Sequence, residues 1–119
     1  MSADLYLHVI EAETKEDVEE VLDAPPTYEG QRDLNLRLMK LPHVWIGEWA
    51  DTVDTTFDPV SDVADAIGED YSMITNDLIK EIEKTLRLGE QLDFLVNEPE
   101  EVAKFLREHK GKRCIAITW

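Results

Sequence analysis

The residue types that most often carry catalysis are few and widely separated in this sequence. His8, His43 and His109 are its three histidines, and Cys114 is its only cysteine. The histidines share no spacing typical of a metal site, and the sequence contains no nucleophile elbow and no glycine-rich phosphate loop. Cys114 lies in an apolar segment, which predicts an unreactive thiol. These features predict a protein that is not an enzyme and that uses no catalytic residue, metal or cofactor.

His8 is the histidine with the most informative surroundings. It alternates with apolar residues between Leu5 and Ile10, a pattern typical of a strand that is buried on both faces. We therefore interpret His8 as a core histidine. The alternative is a small enzyme or ligand-binding domain that uses His8 or His43, and it requires a pocket that contains a titratable group with a shifted pKa.

Carboxylates are the chemically active groups that are concentrated in this chain. Between Leu41 and Ile79 the sequence contains nine Asp and Glu residues and no Lys or Arg, within a chain whose formal net charge is -15. Six of them recur at intervals of three or four residues, the spacing of one helical face: Asp51, Asp54, Asp58, Asp62, Asp65 and Glu69. The run therefore predicts a strongly acidic surface.

Three interpretations of this acidic run are open: a solvated helix face, a surface that recognises a basic partner, or a metal site. Carboxylates one helical turn apart are separated by about 5.4 Å, which approaches the spacing of phosphates along a nucleic-acid strand. The metal site is disfavoured because the acidic residues do not alternate as they do in a calcium-binding loop. For partner recognition, the candidate residues are Trp49, Asp51, Asp54, Asp58, Asp62, Asp65, Glu69 and Asp70. Trp49 would serve as an anchor at the centre of an interface, and core packing is its alternative role.

Asp58 and Pro59 divide the acidic run. An aspartate followed by proline predicts an N-cap and the first position of a helix. Gly68 follows the apolar stripe of that helix and is typical of a helix end. The run is therefore not one continuous helix, because Asp51 and Asp54 precede the cap. Asp58 itself is expected to serve the cap.

The remaining patterns predict an α+β fold with a single domain, residues 1–119. Strands are predicted at residues 5–10, 44–48, 92–96 and 113–119, and helices from Thr14, Asp58, Thr75 and Pro99. Residues 27–30 are expected to form a loop. Residues 31–41 fit either a helix or a strand, and their good helix formers favour a helix. The expected architecture is a mixed sheet of about four strands packed by about four helices, in which residues 92–119 form a strand–helix–strand unit.

Composition excludes several classes of protein. The 119 residues are 43% hydrophobic, enough for one buried core, and no apolar run approaches the roughly 20 residues that cross a bilayer. A single cysteine and the absence of a secretory signal predict a cytoplasmic protein. The sequence pI of about 4.4 predicts repulsion from nucleic acid and anionic membranes and attraction to basic proteins. Adaptation to high salt is an alternative origin of the acidity.

One basic cluster, residues 109–113, interrupts this acidity. Its cations are expected to complement the C-terminal end of the last helix. A second interpretation makes the cluster a contact for an acidic partner or for another copy of this chain, which leaves a homodimer open.

Three segments resemble a family of small uncharacterised phage and prophage proteins. They are the start Met-Ser-Ala-Asp-Leu, the central Val44-Trp45-Ile46-Gly47-Glu48, and the end His109-Lys110-Gly111-Lys112 with a strand up to Trp119. Those relatives continue after Gly-Glu with a leucine-rich helix, whereas residues 49–54 are more acidic here. The family has no known activity, so the resemblance implies a binding role in a host cell and no catalytic residues.

Together these features predict a non-enzymatic acidic binding protein of phage or prophage type. We expect it to inhibit a host or defence protein by presenting an acidic surface to a basic, nucleic-acid-binding site. Its partner would be a protein, without direct contact to nucleic acid or membrane. The alternative is a structural or assembly module whose acidity serves only solubility and whose contacts use sheet edges or the Trp45 region.

Overall fold

The structure is a computed structural model in which residues 4–49, 58–68 and 72–118 are described. In chain order they form β1 (Asp4–Ile10), α1 (Lys15–Leu22), α2 (Tyr28–Leu38), β2 (His43–Glu48), α3 (Pro59–Ile67), β3 (Ser72–Met73), α4 (Asn76–Gln91), α5 (Pro99–Glu108) and β4 (Arg113–Thr118). The α+β prediction is confirmed. The described part of the chain has five helices where about four were expected.

The four strands form one sheet in the order β2-β1-β4-β3. β1 lies between β2 and β4 and pairs antiparallel with both, and β3 adds two residues antiparallel to β4. The prediction of a mixed sheet is therefore wrong for the described strands. The register places His8 opposite His43 on β2 and opposite Ile115 on β4.

Both faces of β1 are buried, as its alternating sequence predicts. Leu5, Leu7 and Val9 pack with the buried residues of α3, α4 and α5. Ile10 points to the other face and packs with α1 and α2. The sheet therefore lies between two helical layers, because hydrophobic residues on both faces of a central strand each need a covering layer.

The predicted strand at residues 92–96 is wrong. Leu92 caps α4, and Asp93 adopts a left-handed backbone with φ 64°, so the chain turns here. Only Val96 forms a bridge, antiparallel to Gly47 at the outer edge of β2. The expected strand–helix–strand unit is also wrong, because this bridge and β4 lie on opposite sides of β1.

The segment Thr27–Gly30 is not a loop. Thr27 is the N-cap of α2 and its hydroxyl accepts a hydrogen bond from the Gly30 amide at 3.0 Å. A Cβ atom at Gly30 would collide with the carbonyl oxygen of Pro25, so the close approach of these two backbones requires glycine. α2 then continues to Leu38, which confirms the helix favoured for residues 31–41 as far as Leu38, and residues 39–41 form a turn.

The predicted caps of α1 and α4 are confirmed. Thr14 and Asp17 form a reciprocal capping box at the start of α1. Thr75 accepts a hydrogen bond from the Leu78 amide at 3.2 Å at the start of α4. Among the described helices, none has both the length and the apolar character needed to cross a bilayer.

Candidate functional site

The described part of the predicted acidic site lies on α3. Val60, Val63 and Ile67 are buried in the main core, which is the cluster that the helices α3, α4 and α5 form with one face of the sheet. These three residues hold α3 against the sheet. Asp62 and Asp65 are exposed on the other side of the helix. Their spacing of three residues places the two carboxylates on neighbouring turns of one surface. We call Asp62 and Asp65 the α3 acidic pair.

Asp58 belongs to the fold of α3 and not to its exposed surface. Its carboxylate accepts hydrogen bonds from the Val60 amide at 3.0 Å and the Ser61 amide at 3.5 Å. Pro59 occupies the first turn, and Gly68 ends the helix with φ 85°. The predicted N-cap and helix end are therefore confirmed. An N-cap aspartate satisfies amides that have no partner within the helix, so Asp58 positions the α3 acidic pair.

The other predicted site residues are only partly described. Asp51, Asp54, Glu69 and Asp70 lie outside the described residues. Trp49 is half-buried and packs against the main core. Its indole Nε1 is buried and has no hydrogen-bond partner among the described residues.

The α3 acidic pair differs electrostatically from the carboxylates of α4 and α5. There, Arg87 pairs with Glu83 at 3.5 Å and with Glu100 at 3.9 Å, and Arg107 pairs with Glu83 at 3.6 Å. Asp62 and Asp65 make no ion pair with the described residues, and α3 contains no Lys or Arg. Their charges are therefore available to a cation supplied from outside.

A second acidic surface lies on α1 and was not part of the sequence-based prediction. Glu16, Glu19 and Glu20 are exposed there. Since Val18 packs α1 on the opposite face of the sheet from α3, the two surfaces point in different directions. The signal in the sequence was a run of Asp and Glu between Glu11 and Asp23 with Lys15 as its only cation.

Asp17 within this surface has a structural role. The backbone amides of Glu13 and Thr14 donate to its carboxylate at 3.0 and 3.1 Å. These hydrogen bonds hold the pKa of Asp17 below its ordinary value because they stabilise the charged form. The exposed glutamates of α1 are therefore the residues left for external contacts.

A polar aromatic cluster lies on the face of the sheet that α1 and α2 cover. The imidazole of His8 is fully buried, and the ring centroids of His8 and His43 are 5.3 Å apart. The ring of Tyr6 lies 6.3 Å from that of His8 and 6.0 Å from that of His43. We call Tyr6, His8 and His43 the sheet-face cluster.

Both histidines of the sheet-face cluster are held by backbone carbonyls. Nδ1 of His8 donates to the Leu38 carbonyl at 2.9 Å, and Nδ1 of His43 donates to the Leu41 carbonyl at 2.8 Å. Burial, and then repulsion from His43, lower the pKa of His8 to about 4. His8 is therefore neutral, and its complete burial confirms the interpretation as a core histidine.

Cys114 lies in a strand as expected, and of the basic cluster His109 lies at the C-terminal end of α5 as expected, whereas Arg113 lies on β4. Cys114 is buried, and burial raises the pKa of its thiol to about 12. His109 ends α5, where its Nδ1 donates to the Phe105 carbonyl at 2.8 Å. Arg113 donates to the carbonyl of Glu13 at 2.9 Å.

One concave surface lies near the end of β1. An open depression of about 530 Å³ lies between the end of β1 and the turn before β4, and no histidine lines it. Its charged residues carry both signs: Glu11, Glu13, Asp17, Lys112 and Arg113. Within the described ranges, no group of three or more His, Cys, Asp or Glu residues is arranged to hold a metal ion. No family model, curated protein or solved structure matches this chain.

Proposed function

We propose that this chain is a non-enzymatic binding protein of phage or prophage type that presents the α3 acidic pair to a basic surface on a protein partner. In this proposal it acts in the host cytoplasm and inhibits a host or defence protein. The supporting observation is that Asp62 and Asp65 are exposed on a helix whose apolar face is buried, and that they make no ion pair with the described residues.

Electrostatics explain why this arrangement suits recognition. Uncompensated surface charge of one sign steers an oppositely charged partner during diffusion and disfavours partners of like charge. A carboxylate already held by an intramolecular arginine contributes less, because that ion pair must be broken or shared. The α3 acidic pair has no ion pair with the described residues to break, whereas Glu83 on α4 would have to give up or share its contacts with Arg87 and Arg107.

A nucleic-acid-binding surface is the type of partner that these charges fit. Such surfaces carry Lys and Arg positioned to meet a row of phosphates. Asp62 and Asp65 lie about one helical turn apart, and a turn of about 5.4 Å approaches the spacing of consecutive phosphates. The pair would therefore occupy part of the surface that nucleic acid uses.

The test compares two charge reversals in the full chain. Asp62→Lys with Asp65→Lys removes the α3 acidic pair. Glu16→Lys with Glu19→Lys is the matched control on α1, with the same spacing and with one lysine in the first helical turn in each case. Each reversal adds two charge units, so both double variants change the formal net charge from -15 to -11. Asp58 is left unchanged because its loss would also remove the cap.

The assay is affinity capture from nuclease-treated bacterial lysate at 50 mM and 500 mM salt, followed by mass spectrometry. A partner that binds the unmodified chain at low salt, is lost at high salt and is lost with the α3 variant but kept by the α1 variant supports the proposal. A partner kept by both variants at both salt concentrations contradicts it. Equal loss with both variants means that overall charge, and not α3, drives binding.

An assembly module is the second candidate, favoured by exposed leucines at the end of α4. Leu88, Leu92 and Leu95 are 44%, 53% and 59% exposed. Self-association through the outer edge of β2 is disfavoured at Ile46 and Glu48, because their backbone groups already have partners in the same chain. The Glu48 amide donates to the Leu95 carbonyl at 2.9 Å, and the Asn97 amide donates to the Ile46 carbonyl at 2.8 Å. Light scattering over a concentration series tests self-association, and Leu92→Glu should abolish it if these leucines form the contact.

A further inference from the structure

The two histidines of the sheet-face cluster are direct cross-strand neighbours. His8 on β1 is paired in register with His43 on β2. Directly opposed residues on one face of an antiparallel pair have Cβ atoms about 4.5–5.5 Å apart, so their side chains reach the same volume. The 5.3 Å between the two ring centroids shows that the imidazoles are indeed neighbours.

The hydrogen bonds of both rings leave the same nitrogen for a ligand. A carbonyl oxygen only accepts, so Nδ1 of each ring carries the proton in its bond to Leu38 or Leu41. Each Nε2 consequently has a lone pair. Metal-bound histidines typically have this arrangement, in which one nitrogen donates to a carbonyl and orients the other toward the metal.

Nε2 of His8 is one of two buried side-chain polar atoms that have no hydrogen-bond partner among the described residues, and the other is Nε1 of Trp49. His8 is 0% exposed. Buried polar atoms almost always have a partner, and an orphaned one indicates a missing water, ion or functional role. A bound ion would supply that partner.

The separation of the rings also fits one ion between them. With a metal–nitrogen bond of about 2.0–2.1 Å, the centroid of an imidazole lies about 3.2 Å from the metal. For Nε2 atoms that both face the ion, two centroids 5.3 Å apart correspond to a nitrogen–metal–nitrogen angle of about 112°, close to tetrahedral. A much larger or smaller separation could not be bridged without moving a strand.

We propose that His8 and His43 bind a divalent transition-metal ion through their Nε2 atoms. Imidazole ligands select Cu²⁺, Ni²⁺ and Zn²⁺ over the hard cations Mg²⁺ and Ca²⁺, and among divalent ions Cu²⁺ binds such sites most tightly. Solvent supplies the remaining ligands on the side of His43, which is only half-buried. This site lies on the face of the sheet opposite α3 and does not depend on the proposed function.

The experiment titrates the full chain with Cu²⁺ alone and uses His109 as an internal control. Binding is measured by calorimetry, and the ligands are identified by electron paramagnetic resonance, in which coordinating nitrogens split the copper signal. Two variants are compared, His43→Gln in the cluster and His109→Gln at the end of α5. Circular dichroism confirms that each variant is folded, which is expected because neither side chain is fully buried.

The expected result is one saturable Cu²⁺ site with two nitrogen ligands in the unmodified chain and in His109→Gln. His43→Gln should bind at least tenfold more weakly and lose one nitrogen from the spectrum. Equal affinity of His43→Gln and the unmodified chain overturns the proposal, as does a spectrum that shows only carboxylate oxygens. Loss of the site in His109→Gln overturns it as well, because the copper would then be bound at α5.

Discussion

The pH dependence of stability tests the burial of His8. Burial and repulsion from His43 lower the pKa of His8 from 6.5 to about 4 in the folded chain. Above pH 6.5 the imidazole is neutral in both the folded and the unfolded chain and contributes no pH dependence. Between pH 6.5 and 4 the unfolded chain binds a proton that the folded chain does not. The free energy of unfolding therefore falls as the pH falls through this range.

The size of this effect follows from the two pKa values. The difference between 6.5 and about 4 is about 2.5 pH units, and at about 1.4 kcal/mol per unit the loss amounts to about 3 kcal/mol. The side chain is 0% exposed, so solvent does not screen the cost of charging it. A loss of this size is a large fraction of the roughly 5–15 kcal/mol that stabilises a typical domain.

Urea unfolding at pH 7.0 and pH 4.5 measures this loss. His8→Leu removes the titrating group, and His109→Gln is the control. The carboxylates titrate in every variant. The free energy of unfolding is therefore compared between the unmodified chain and His8→Leu at each pH, and the informative quantity is how much this difference changes between pH 7.0 and pH 4.5. We expect that difference to change by about 2–3 kcal/mol in favour of His8→Leu at the lower pH. A change below about 0.5 kcal/mol, or an equal change for His109→Gln, would refute the burial of a neutral His8.

Three further predictions concern the elements that position the candidate sites. Asp58→Ala should lower the free energy of unfolding by about 1 kcal/mol in urea because α3 loses its N-cap, while Asp58→Asn should retain most of the stability. Gly30→Ala should cost about 1–3 kcal/mol, because the new methyl group meets the Pro25 carbonyl, and a thermal melt unchanged from the unmodified chain would exclude this close approach. Cys114 should resist a thiol reagent at pH 8 in the native chain and react in urea, since burial raises its pKa to about 12, and rapid native labelling would contradict its burial.

Local chemistry explains which elements were predictable from the sequence. A helix cap depends on residues within one helical turn. The starts of α1, α3 and α4 could therefore be predicted from Thr14, Asp58 and Thr75. The burial of both faces of β1 followed from the alternation over residues 5–10. Thr27 is also an N-cap, but Pro25 and Pro26 directly before it are equally typical of a loop, so the local sequence alone does not decide between the two.

Non-local contacts explain what was not predictable. Residues 92–96 are apolar enough for a strand, but α4 extends to Gln91 and Leu92 is its C-cap. Of this segment only Val96 forms a bridge, and its partner Gly47 is distant in sequence. Likewise, His8 and His43 lie 35 positions apart in sequence, and only the register of β1 with β2 makes them neighbours. A short apolar run or a single histidine carries no information about its partner strand.

The candidate acidic site was predictable in part. The apolar stripe of α3 required Asp62 and Asp65 to face outward, and the structure places them so. The acidic surface of α1 is also indicated by the sequence between Glu11 and Asp23. The run between Leu41 and Ile79 is the stronger signal, because it is longer and contains no Lys or Arg. The position of the α1 surface on the other helical layer now makes it the matched control for the proposed function.

The most direct test of the proposed function measures the salt dependence of binding to the captured partner. Dissociation constants are determined between 50 and 500 mM salt for the unmodified chain, the Asp62→Lys/Asp65→Lys variant and the Glu16→Lys/Glu19→Lys variant. We expect steep weakening with salt for the unmodified chain and the α1 variant, and at least tenfold weaker binding with a shallower salt dependence for the α3 variant. Identical constants and identical salt dependence for all three proteins would contradict recognition through the α3 acidic pair.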